Sequence, residues 1–333
     1  GWHRMEHCGR VALGEYCHHF HQLGSCPTCA VVGAAVNVSV NKGFVLHGTS
    51  HALLAENAIH SHRGAAFYIE NGAEVNNTLR ANVITCEWMS AGPTGKCALV
   101  DGPSTSGDSD LGEQSGIYLI SPNNHVVGNR VSGQDNALFI NQQGGAIYGQ
   151  DIAQGRVAAN MAPFGVHSHN VFHDCAGFGW YINGHFPLNV EVDHNGYVVD
   201  WRHAVPYHPL TGEDQALAVE VTHHIEYHND FSIGAYDFGD VTLRNLTVSG
   251  SLKGHYWKTY RRGVNSGPLC VNCRFAGNFP SLVQAPGGQG LVEWHNSTWD
   301  EESGAIDLNH HCALGGEATG GLCSSHFLFS GES

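Results

Sequence analysis

Short apolar stretches, each led by an asparagine and broken by a glycine or polar corner, recur along the chain. The clearest copies are NAIHSHRGAAFYI from Asn57, NRVSGQDNALFI from Asn129, NVFHDCAGFGWYI from Asn170 and NSTWDEESGAIDL from Asn296. Weaker copies begin at Asn37, Asn245 and Asn272. Runs of about three to five residues alternate between apolar and polar positions, which is typical of short β-strands that bury one face. The pattern therefore predicts many short strands and few helices.

The spacing of these copies predicts the architecture. Neighbouring asparagines lie 20 residues apart from Asn37 to Asn57, 25 from Asn57 to Asn82 and 24 from Asn272 to Asn296. Such a period is typical of one coil of a parallel β-helix, in which three strands wind once and stack on the next coil. We expect an all-β fold, a right-handed single-stranded parallel β-helix (solenoid) that spans residues 1–333 as one domain.

The recurring asparagine has a structural explanation within this architecture. An asparagine at the same corner of successive coils can satisfy turn backbone groups and bond to the asparagine above it. A leucine-rich solenoid has a similar period but needs an LxxLxL frame, which this chain lacks. A β-sandwich would not explain why the asparagines are in phase.

Two segments break the rhythm and predict long loop excursions. Residues 87–114 are rich in Gly, Ser, Pro and Asp, and residues 200–230 are rich in aromatic residues and histidine. Long segments of this kind are typical of functional loops that leave a regular scaffold. Within the second segment, TGEDQALAVEV offers the one candidate helix start.

The composition and net charge limit the kinds of partner that the chain can bind. Glycine is abundant at 43 residues, and 15 Lys and Arg oppose 30 Asp and Glu, for a net charge of −15. Such a surface repels nucleic acid, anionic lipid and acidic polysaccharide unless a cation bridges the two. No apolar run reaches the roughly 18–20 residues of a membrane span, and no signal peptide is present. Because the chain also lacks an initiator Met, we expect a processed or excised piece of a longer protein, with neighbouring domains or other copies as partners.

Eleven cysteines and four sequons favour the secretory route, and hence an extracellular or cell-surface location. The sequons predict N-linked glycans at Asn37, Asn76, Asn245 and Asn296. The CPTC and CVNC pairs would suggest zinc if four sulfurs converged, but they lie too far apart in sequence for a compact finger. Disulfides are therefore expected, with the candidates Cys26, Cys29, Cys86, Cys97, Cys270, Cys273, Cys312 and Cys323.

Three phrases in the first 140 residues carry a family resemblance. They are GEYCHHFHQLG, then GFVLHGTSHALLAENAIHSHRGAAFYIENGAEVNNTLRANVI, then SPNNHVVGNRVSG. They resemble the β-helix region of the fibrocystin-L and CEMIP-type family of cell-surface proteins, which includes hyaluronan-degrading members. In that family the phrases run roughly GRYPIHFHxxG, TIHGxxG and GHxFFxEDGxExxN.

The resemblance implies a polar constellation at His19, His21, His47, Glu70 and Glu74. His19 and His21 are two apart on a predicted strand, so both side chains should point to one face. Two or three imidazoles with the Glu70 carboxylate would suit a divalent cation, either zinc or calcium. The alternative is that these histidines are stacked rungs whose ring nitrogens bond to neighbouring backbone.

The chain also departs from the family pattern. The family's histidine and aspartate in GHxFFxEDG are replaced by Ala65 and Asn71, and neither replacement can act as a proton-transferring acid or base. We therefore expect a non-catalytic extracellular structural or adhesion module of a larger cell-surface or fibre-forming glycoprotein, with polysaccharide as a candidate ligand. The alternative is a polysaccharide hydrolase or lyase, for which the candidate carboxylates are Asp135, Asp174, Asp193, Glu226 and Asp237. Aromatic residues that could stack on sugars are Trp180, Tyr181, Trp201, Tyr207, Tyr256 and Trp257.

Overall fold

A computed structural model of the chain describes residues 2–10, 12, 14–70, 72–86, 115–141, 163–185, 191–192, 194, 198–200, 219–238, 241–257, 269–277, 281–284, 290–300 and 325–330. Strands and tight corners make up these residues, with no helix among them. Hence none of the described residues forms a helix long and apolar enough to cross a membrane.

The strands are short, and most of them have three to eight residues. In chain order, the first sixteen are β1 (His3–Cys8), β2 (His18–Ser25), β3 (Ala30–Val32), β4 (Ala34–Ser39), β5 (Phe44–Ser50), β6 (Leu53–Ala55), β7 (Ala58–His62), β8 (Phe67–Ile69), β9 (Thr78–Arg80), β10 (Val83–Thr85), β11 (Ser115–Leu119), β12 (His125–Val127), β13 (Arg130–Ser132), β14 (Asn136–Asn141), β15 (His167–Ser168) and β16 (Val171–His173). The others are β17 (Phe178–His185), β18 (Glu191–Val192), β19 (Val198–Asp200), β20 (Val219–Thr222), β21 (Ile225–Tyr227), β22 (Phe231–Phe238), β23 (Val241–Arg244), β24 (Thr247–Ser249), β25 (Lys253–Trp257), β26 (Leu269–Val271), β27 (Arg274–Ala276), β28 (Ser281–Gln284), β29 (Gly290–His295), β30 (Thr298–Trp299) and β31 (Ser325–Ser330).

Successive strands go to three different sheets in rotation, so that each coil adds one strand to each sheet. Sheet 1 has the order β1-β4-β7-β10-β13-β16-β21-β24-β27-β30, sheet 2 has β2-β5-β8-β11-β14-β17-β22-β25-β28, and sheet 3 has β3-β6-β9-β12-β15-β20-β23-β26-β29-β31. All pairings in these sheets are parallel, and β18 and β19 form a separate antiparallel pair. The predicted right-handed parallel β-helix is confirmed.

The bore is filled by side chains that stack directly on the same position of the next coil. In sheet 2, Phe44 pairs with Phe67, and their rings stack with centroids 4.7 Å apart. Leu54 and Leu79 occupy the equivalent rung of sheet 3, and both are buried. Because each strand alternates inward and outward residues, the neighbours of these side chains form the outer faces of the sheets.

A ladder of buried asparagines runs along the corner between sheets 3 and 1. The Nδ2 of Asn57 donates to Oδ1 of Asn82 (3.0 Å), Asn82 to Asn129 (2.9 Å) and Asn129 to Asn170 (3.0 Å). Each amide also donates its second hydrogen to a strand carbonyl, and each Oδ1 accepts a backbone N–H from the previous coil; for Asn129 these partners are the Leu79 carbonyl and the Asn82 N–H. The predicted asparagine stacking is therefore confirmed for these four residues.

The ladder ends on a histidine. The Nδ2 of Asn170 lies 3.3 Å from Nε2 of His224, and His224 is buried. Because an amide NH₂ can only donate, Nε2 must accept, so His224 is neutral here with its proton on Nδ1. Burial lowers the pKa of His224 to about 3, which keeps the ring in this form at neutral pH.

The sequence pattern places Asn245, Asn272 and Asn296 at the same corner position as Asn57. This prediction is wrong by one residue. All three have a left-handed backbone, with φ of 48°, 56° and 54°, and they occupy the corner position before the buried one. They form a second, outer ladder in which Nδ2 of Asn296 donates to Asn272 at 2.8 Å and Nδ2 of Asn272 to Asn245 at 3.3 Å. Asparagine suits both positions, one because it tolerates left-handed angles and one because its amide can stack, so the sequence could not separate them. Asn37 lies within β4 rather than at a corner.

The second predicted excursion, 200–230, is also corrected. Residues 219–222 and 225–227 belong to regular coils as β20 and β21, so the end of the predicted helix start TGEDQALAVEV is strand. The apolar alternation of VEVT, with Val219 and Val221 buried, is the physical reason. Residues 87–114, together with 201–218, lie outside the described residues.

The cysteines follow the prediction only in part. Cys26 and Cys29 form a disulfide, and so do Cys8 and Cys17, which the sequence did not single out. Cys86 is disulfide-bonded, while the other candidates Cys97, Cys312 and Cys323 lie outside the described residues. The disulfide expected between Cys270 and Cys273 is not formed. Both cysteines are buried thiols. Their side chains point into the bore from the CVNC corner, where each fills a core position.

Replacing Asn129 with alanine tests the buried ladder. The change leaves the Asn82 N–H and one Asn82 Nδ2–H without an acceptor and the Leu79 carbonyl without a donor. We expect a loss of roughly 3–5 kcal/mol in the free energy of unfolding, measured by denaturant titration. Asn296→Ala is the matched control, because it breaks one exposed bond and should cost at most roughly 1–2 kcal/mol, mainly for the left-handed backbone. Equal losses in the two variants would argue against the ladder as a stabilising element.

Replacing His224 with asparagine tests the end of the ladder. The folded pKa of His224 is depressed below its unfolded value, so the unfolded state takes up a proton first and stability falls as pH drops below about 6.5. Between pH 7 and pH 5 this histidine alone should cost about 2 kcal/mol. His224→Asn restores an amide to the ladder and should abolish that part of the acid sensitivity in unfolding experiments at both pH values. An unchanged pH dependence would contradict the assignment.

Candidate metal centre

The outer face of sheet 2 in the first three coils carries the predicted constellation. In β2, Phe20 points into the bore, so His19 and His21 on either side of it both point outward. His47 of β5 is the register partner of His21. Glu70 follows β8 directly, one coil further on. Strand alternation and coil stacking thus bring these four residues to one surface.

The three imidazoles form a compact group. Their ligand nitrogens all lie within 4.8 Å of one another. The ring centroids are 5.0 Å apart for His19 and His21, 4.7 Å for His21 and His47, and 6.3 Å for His19 and His47. Among the described residues, this is the one group of three or more histidine, cysteine or acidic side chains with such spacing.

Hydrogen bonding orients His19 as a ligand. Its Nδ1 lies 3.1 Å from the Gly14 carbonyl, and a carbonyl can only accept, so Nδ1 carries the proton. Nε2 is therefore a lone-pair nitrogen. It is buried and has no hydrogen-bond partner among the described residues. An imidazole held by a backbone carbonyl on one nitrogen, with the other one open, is the usual arrangement of a metal-ligating histidine.

The surroundings of His19 and His47 favour their neutral forms. Burial lowers the pKa of His19, and the neighbouring His21 lowers it further. Burial likewise lowers the pKa of His47, with His21 and His19 as further causes. A neutral ring is the form that binds a metal, so protons compete less for these two ligands than for an exposed histidine.

The two predicted glutamates have different roles. Glu70 Oε2 lies 3.4 Å from Nδ1 of His47, so its carboxylate borders the histidine group and can supply a fourth ligand. Glu74 is fully buried, and its Oε1 accepts the N–H of Gly48 at 2.8 Å. Gly48 lies within β5 and has a φ of +57°, so Glu74 holds a left-handed position of the strand instead of contributing to the site.

The donor set fits zinc better than calcium. Three imidazole nitrogens and one carboxylate suit zinc, whereas calcium requires six to eight oxygen ligands. Zinc–nitrogen bonds of about 2.0–2.1 Å place tetrahedral ligands roughly 3.3 Å apart, so nitrogens near the 4.8 Å limit of this group would have to approach one another. His21 is exposed, which leaves it room to rotate and leaves one side of the site open to solvent.

A buried lysine lies behind the histidines. Lys42 is completely buried, and its Nζ is 4.4 Å from the ring centroid of Tyr68 and 5.7 Å from that of Tyr16. Tyr16 in turn packs edge-on against His19, with centroids 4.9 Å apart. Cation–π contacts of this kind hold an ammonium group where water is excluded. The sequence did not predict this, because nothing in GEYCHH and NKG links the two segments.

The other predicted site residues are dispersed. Ala65 is 1% exposed and packs with Val45 and Tyr68, next to the histidine face, whereas Asn71 lies outside the described residues. Glu226 points into the bore instead of toward solvent, and burial raises the pKa of its carboxyl well above the usual value. Asp174 is held at an exposed corner, 2.6 Å from His173.

The predicted sugar-stacking aromatic residues lie in different environments. Trp180 fills the bore and is fully buried, so it cannot meet a sugar. Tyr181 faces outward from sheet 2 and stacks on Phe139 at 4.6 Å. Tyr256 and Trp257 belong to β25, and Trp201 and Tyr207 lie outside the described residues, as does Asp193; Asp237 belongs to β22.

The four sequons lie in three environments. Asn37 donates through Nδ2 to Glu6 at 2.7 Å in the outer face of sheet 1. Asn76 stands at a corner with a φ of 55°, and Asn245 and Asn296 belong to the outer ladder. Asn296 is exposed.

Removal of one imidazole tests the metal centre. His47→Ala should weaken zinc binding by at least about tenfold, measured at pH 7.5 by competition with a chromophoric chelator. His60→Ala is the matched control, because that ring lies on sheet 1 and bonds to Asn37. Affinity should also fall as pH is lowered, since protons compete for the nitrogens. Equal zinc affinity in wild type and His47→Ala would refute the site.

Comparison with known proteins gives relatives for this part of the chain. The sequence model of the CEMIP beta-helix family matches residues 3–180. Human fibrocystin-L is 30% identical over 189 residues, which are 55% of this chain and 4% of that protein, and mouse fibrocystin-L is 29% identical over the same shares. A G8 domain-containing protein of Dictyostelium discoideum is 30% identical over 125 residues, 34% of this chain and 8% of that protein. The chain therefore spans a small part of the length of these relatives.

The family match extends from β1 into β17 and contains every residue of the histidine group. It covers more than half of the 333 residues. The chain belongs to the CEMIP β-helix family.

Proposed function

We propose that this chain is a non-catalytic β-helix module of a larger extracellular or cell-surface glycoprotein, and that the histidine face of sheet 2 binds acidic polysaccharide through a divalent cation. The proposal rests on a contrast between the histidines that this face retains and the one that it lacks. The imidazoles at 19, 21 and 47 are kept together, whereas the adjacent family histidine is replaced by the buried Ala65.

The replacement of the family histidine by Ala65 removes a group that catalysis would use and that ligand binding does not need. A methyl group can neither accept nor donate a proton, so one step of acid–base catalysis has no residue at that position. Glu226, which could have supplied a carboxylate, is sealed in the bore, and Asp174 is engaged by His173. Ligand binding needs none of these groups.

Charge explains why a cation is required. With a net charge of −15, the chain repels an acidic polysaccharide at long range. A zinc ion held by neutral imidazoles would place positive charge on the open side of the site, beside His21. With the three imidazoles as the protein ligands and Glu70 left beside His47, that charge could bind a uronate carboxylate directly, because zinc sites with three protein ligands keep a position for an exogenous group.

The extracellular location is supported by covalent chemistry. Two disulfides are formed within the first 30 residues, and Cys86 takes part in another. Disulfides persist in oxidising compartments and are rare in the cytosol. The cell-surface family resemblance and the four sequons agree with this location.

One observation favours a second candidate, a metal-dependent polysaccharide hydrolase. His19 Nε2 is buried without a hydrogen-bond partner among the described residues, and the Glu70 carboxylate borders the same group at His47, an arrangement that could also hold a zinc-bound water. Under this alternative, the histidine group would be a reaction centre instead of a binding site.

A combined binding and degradation experiment separates the two candidates. The purified chain is incubated with hyaluronan and with matched neutral glycans, with zinc or with a chelator, and both retention on the glycan and glycan chain length are measured. We expect zinc-dependent retention of hyaluronan, lost in His47→Ala and kept in His60→Ala, with no change in chain length relative to a heat-inactivated sample. Zinc-dependent shortening of hyaluronan that disappears in His47→Ala would replace the binding proposal with the hydrolase. Neither retention nor shortening of hyaluronan in any condition would refute both.

A further inference from the structure

A second site candidate lies far from the histidine face, at the corner between sheets 2 and 3. Here a cavity of about 420 Å³ is lined by Asn76, His125, Phe164, Val166, His167 and Glu220, among others. Its volume falls at the lower end of ligand pockets, which run from about 300 to 1,000 Å³. The cavity lies beside β15, which has only two residues, and beside the segment from Phe164 to Val166 that leads into it.

Close backbone approach shapes one wall of the cavity. A Cβ on Gly165 would lie 2.2 Å from the Asn124 carbonyl oxygen, so only glycine lets this segment pass over the coil below. As a result, Phe164 is held against the cavity, with its ring 5.3 Å from that of His167. Phe164 is half-buried and offers an aromatic surface to an occupant.

The polar groups of the cavity are neutral hydrogen-bonding groups. His125 Nδ1 accepts the Val166 N–H at 3.0 Å, which leaves the proton on Nε2 as a donor. His167 is 1% exposed and pairs in register with the core residues Val126 and Val221, so its ring points into the bore and its nitrogens are closed to an occupant of the cavity. Burial lowers the pKa of His125, and that of His167 to about 4, so both rings are uncharged at neutral pH.

This chemistry selects one class of ligand. None of the described residues that line the cavity is a Lys or Arg, and Arg244, which bonds to the lining residue Glu220 at 2.5 Å, is already engaged, so the lining does not favour an anion. The Val166 N–H occupies Nδ1 of His125, which disfavours a metal. An aromatic wall, neutral donors and acceptors and a bordering carboxylate are instead suited to a sugar, whose ring stacks on an aromatic face and whose hydroxyls both donate and accept.

An N-glycosylation sequon lies at the rim of the cavity. Asn76 lines the cavity and is the first residue of the sequon Asn76-Asn77-Thr78. Its left-handed backbone, with a φ of 55°, places it at the tip of the corner, and its own N–H is bonded to the Asn123 carbonyl at 2.8 Å. The attachment point of a glycan is therefore fixed beside the cavity.

We propose that this cavity is a carbohydrate site whose occupant is the first N-acetylglucosamine of a glycan carried by Asn76. The sugar packs against Phe164, and its polar groups bond to His125 and Glu220. The glycan then acts as a structural part of the coil, joining the corner at Asn76 to β15 and β20. This inference rests on the proposed extracellular function, because a glycan is added only on the secretory route.

The test uses the chain secreted from cells that make high-mannose glycans. Site occupancy is measured by mass spectrometry, and melting temperature is compared before and after trimming with an endoglycosidase that leaves a single N-acetylglucosamine. Thr78→Val removes the sequon at Asn76 without changing Asn76 itself. Thr298→Val is the matched control, because it removes the sequon at the exposed Asn296.

We expect Asn76 to be occupied and trimming to leave the melting temperature unchanged. Thr78→Val should lower it by at least about 2 °C, and Thr298→Val by less than about half as much. The effect of Thr78→Val should shrink at least twofold in a Phe164→Leu background, which keeps an apolar side chain but removes the aromatic face.

Three outcomes would overturn the inference. They are an unoccupied Asn76 beside an occupied Asn296, equal shifts from Thr78→Val and Thr298→Val, or an unchanged Thr78→Val effect in the Phe164→Leu background. These results leave the proposed extracellular function intact. Failure of all four sequons to carry a glycan on the secreted chain would instead remove the glycoprotein part of that function together with the inference.

Discussion

The buried corner amide is the interaction on which the rest of the molecule depends. A chain that turns three times per coil exposes backbone groups at every corner, and each one that is buried must find a partner. The amides of Asn57, Asn82, Asn129 and Asn170 meet this requirement and at the same time tie each coil to the next. Asn77 and Asn124 do the same at the corner between sheets 2 and 3. The coil spacing is thereby fixed, and the sheets become a rigid frame for side chains.

That frame explains how short strands create sites. His21 and His47 are neighbours because their coils are in register, and no loop has to hold them in place. The same register stacks Phe44 on Phe67 and buries Glu226 in the bore. Along each strand, side chains point alternately into the bore and out to the surface. This alternation separates the residues that can contact a ligand from those that hold the coil together. The proposed function depends on the outward set alone.

The sequence predicted the fold well because its strongest signal is the one that physics requires in every coil. Phased asparagines and short alternating strands are sufficient for a β-helix, and strand alternation is sufficient to put His19 and His21 on one face. The prediction was wrong where two positions accept the same residue. Asn296 and Asn57 look alike in sequence, yet one is exposed with a left-handed backbone and the other is buried. The Cys8–Cys17 disulfide and the approach of Lys42 to Tyr16 depend on how separate segments fold back, and no periodic pattern encodes that.

Exchange of side-chain amide protons would test the account most directly. In a sample labelled with ¹⁵N on asparagine alone, the Nδ2 protons of Asn57, Asn82, Asn129 and Asn170 can be followed by NMR after transfer to D₂O. If the buried ladder holds the coils together, these protons should exchange at least about a thousandfold more slowly than those of the exposed Asn296. Exchange of the two sets at similar rates would show that the amides are open to water and that the coils are held together by something else.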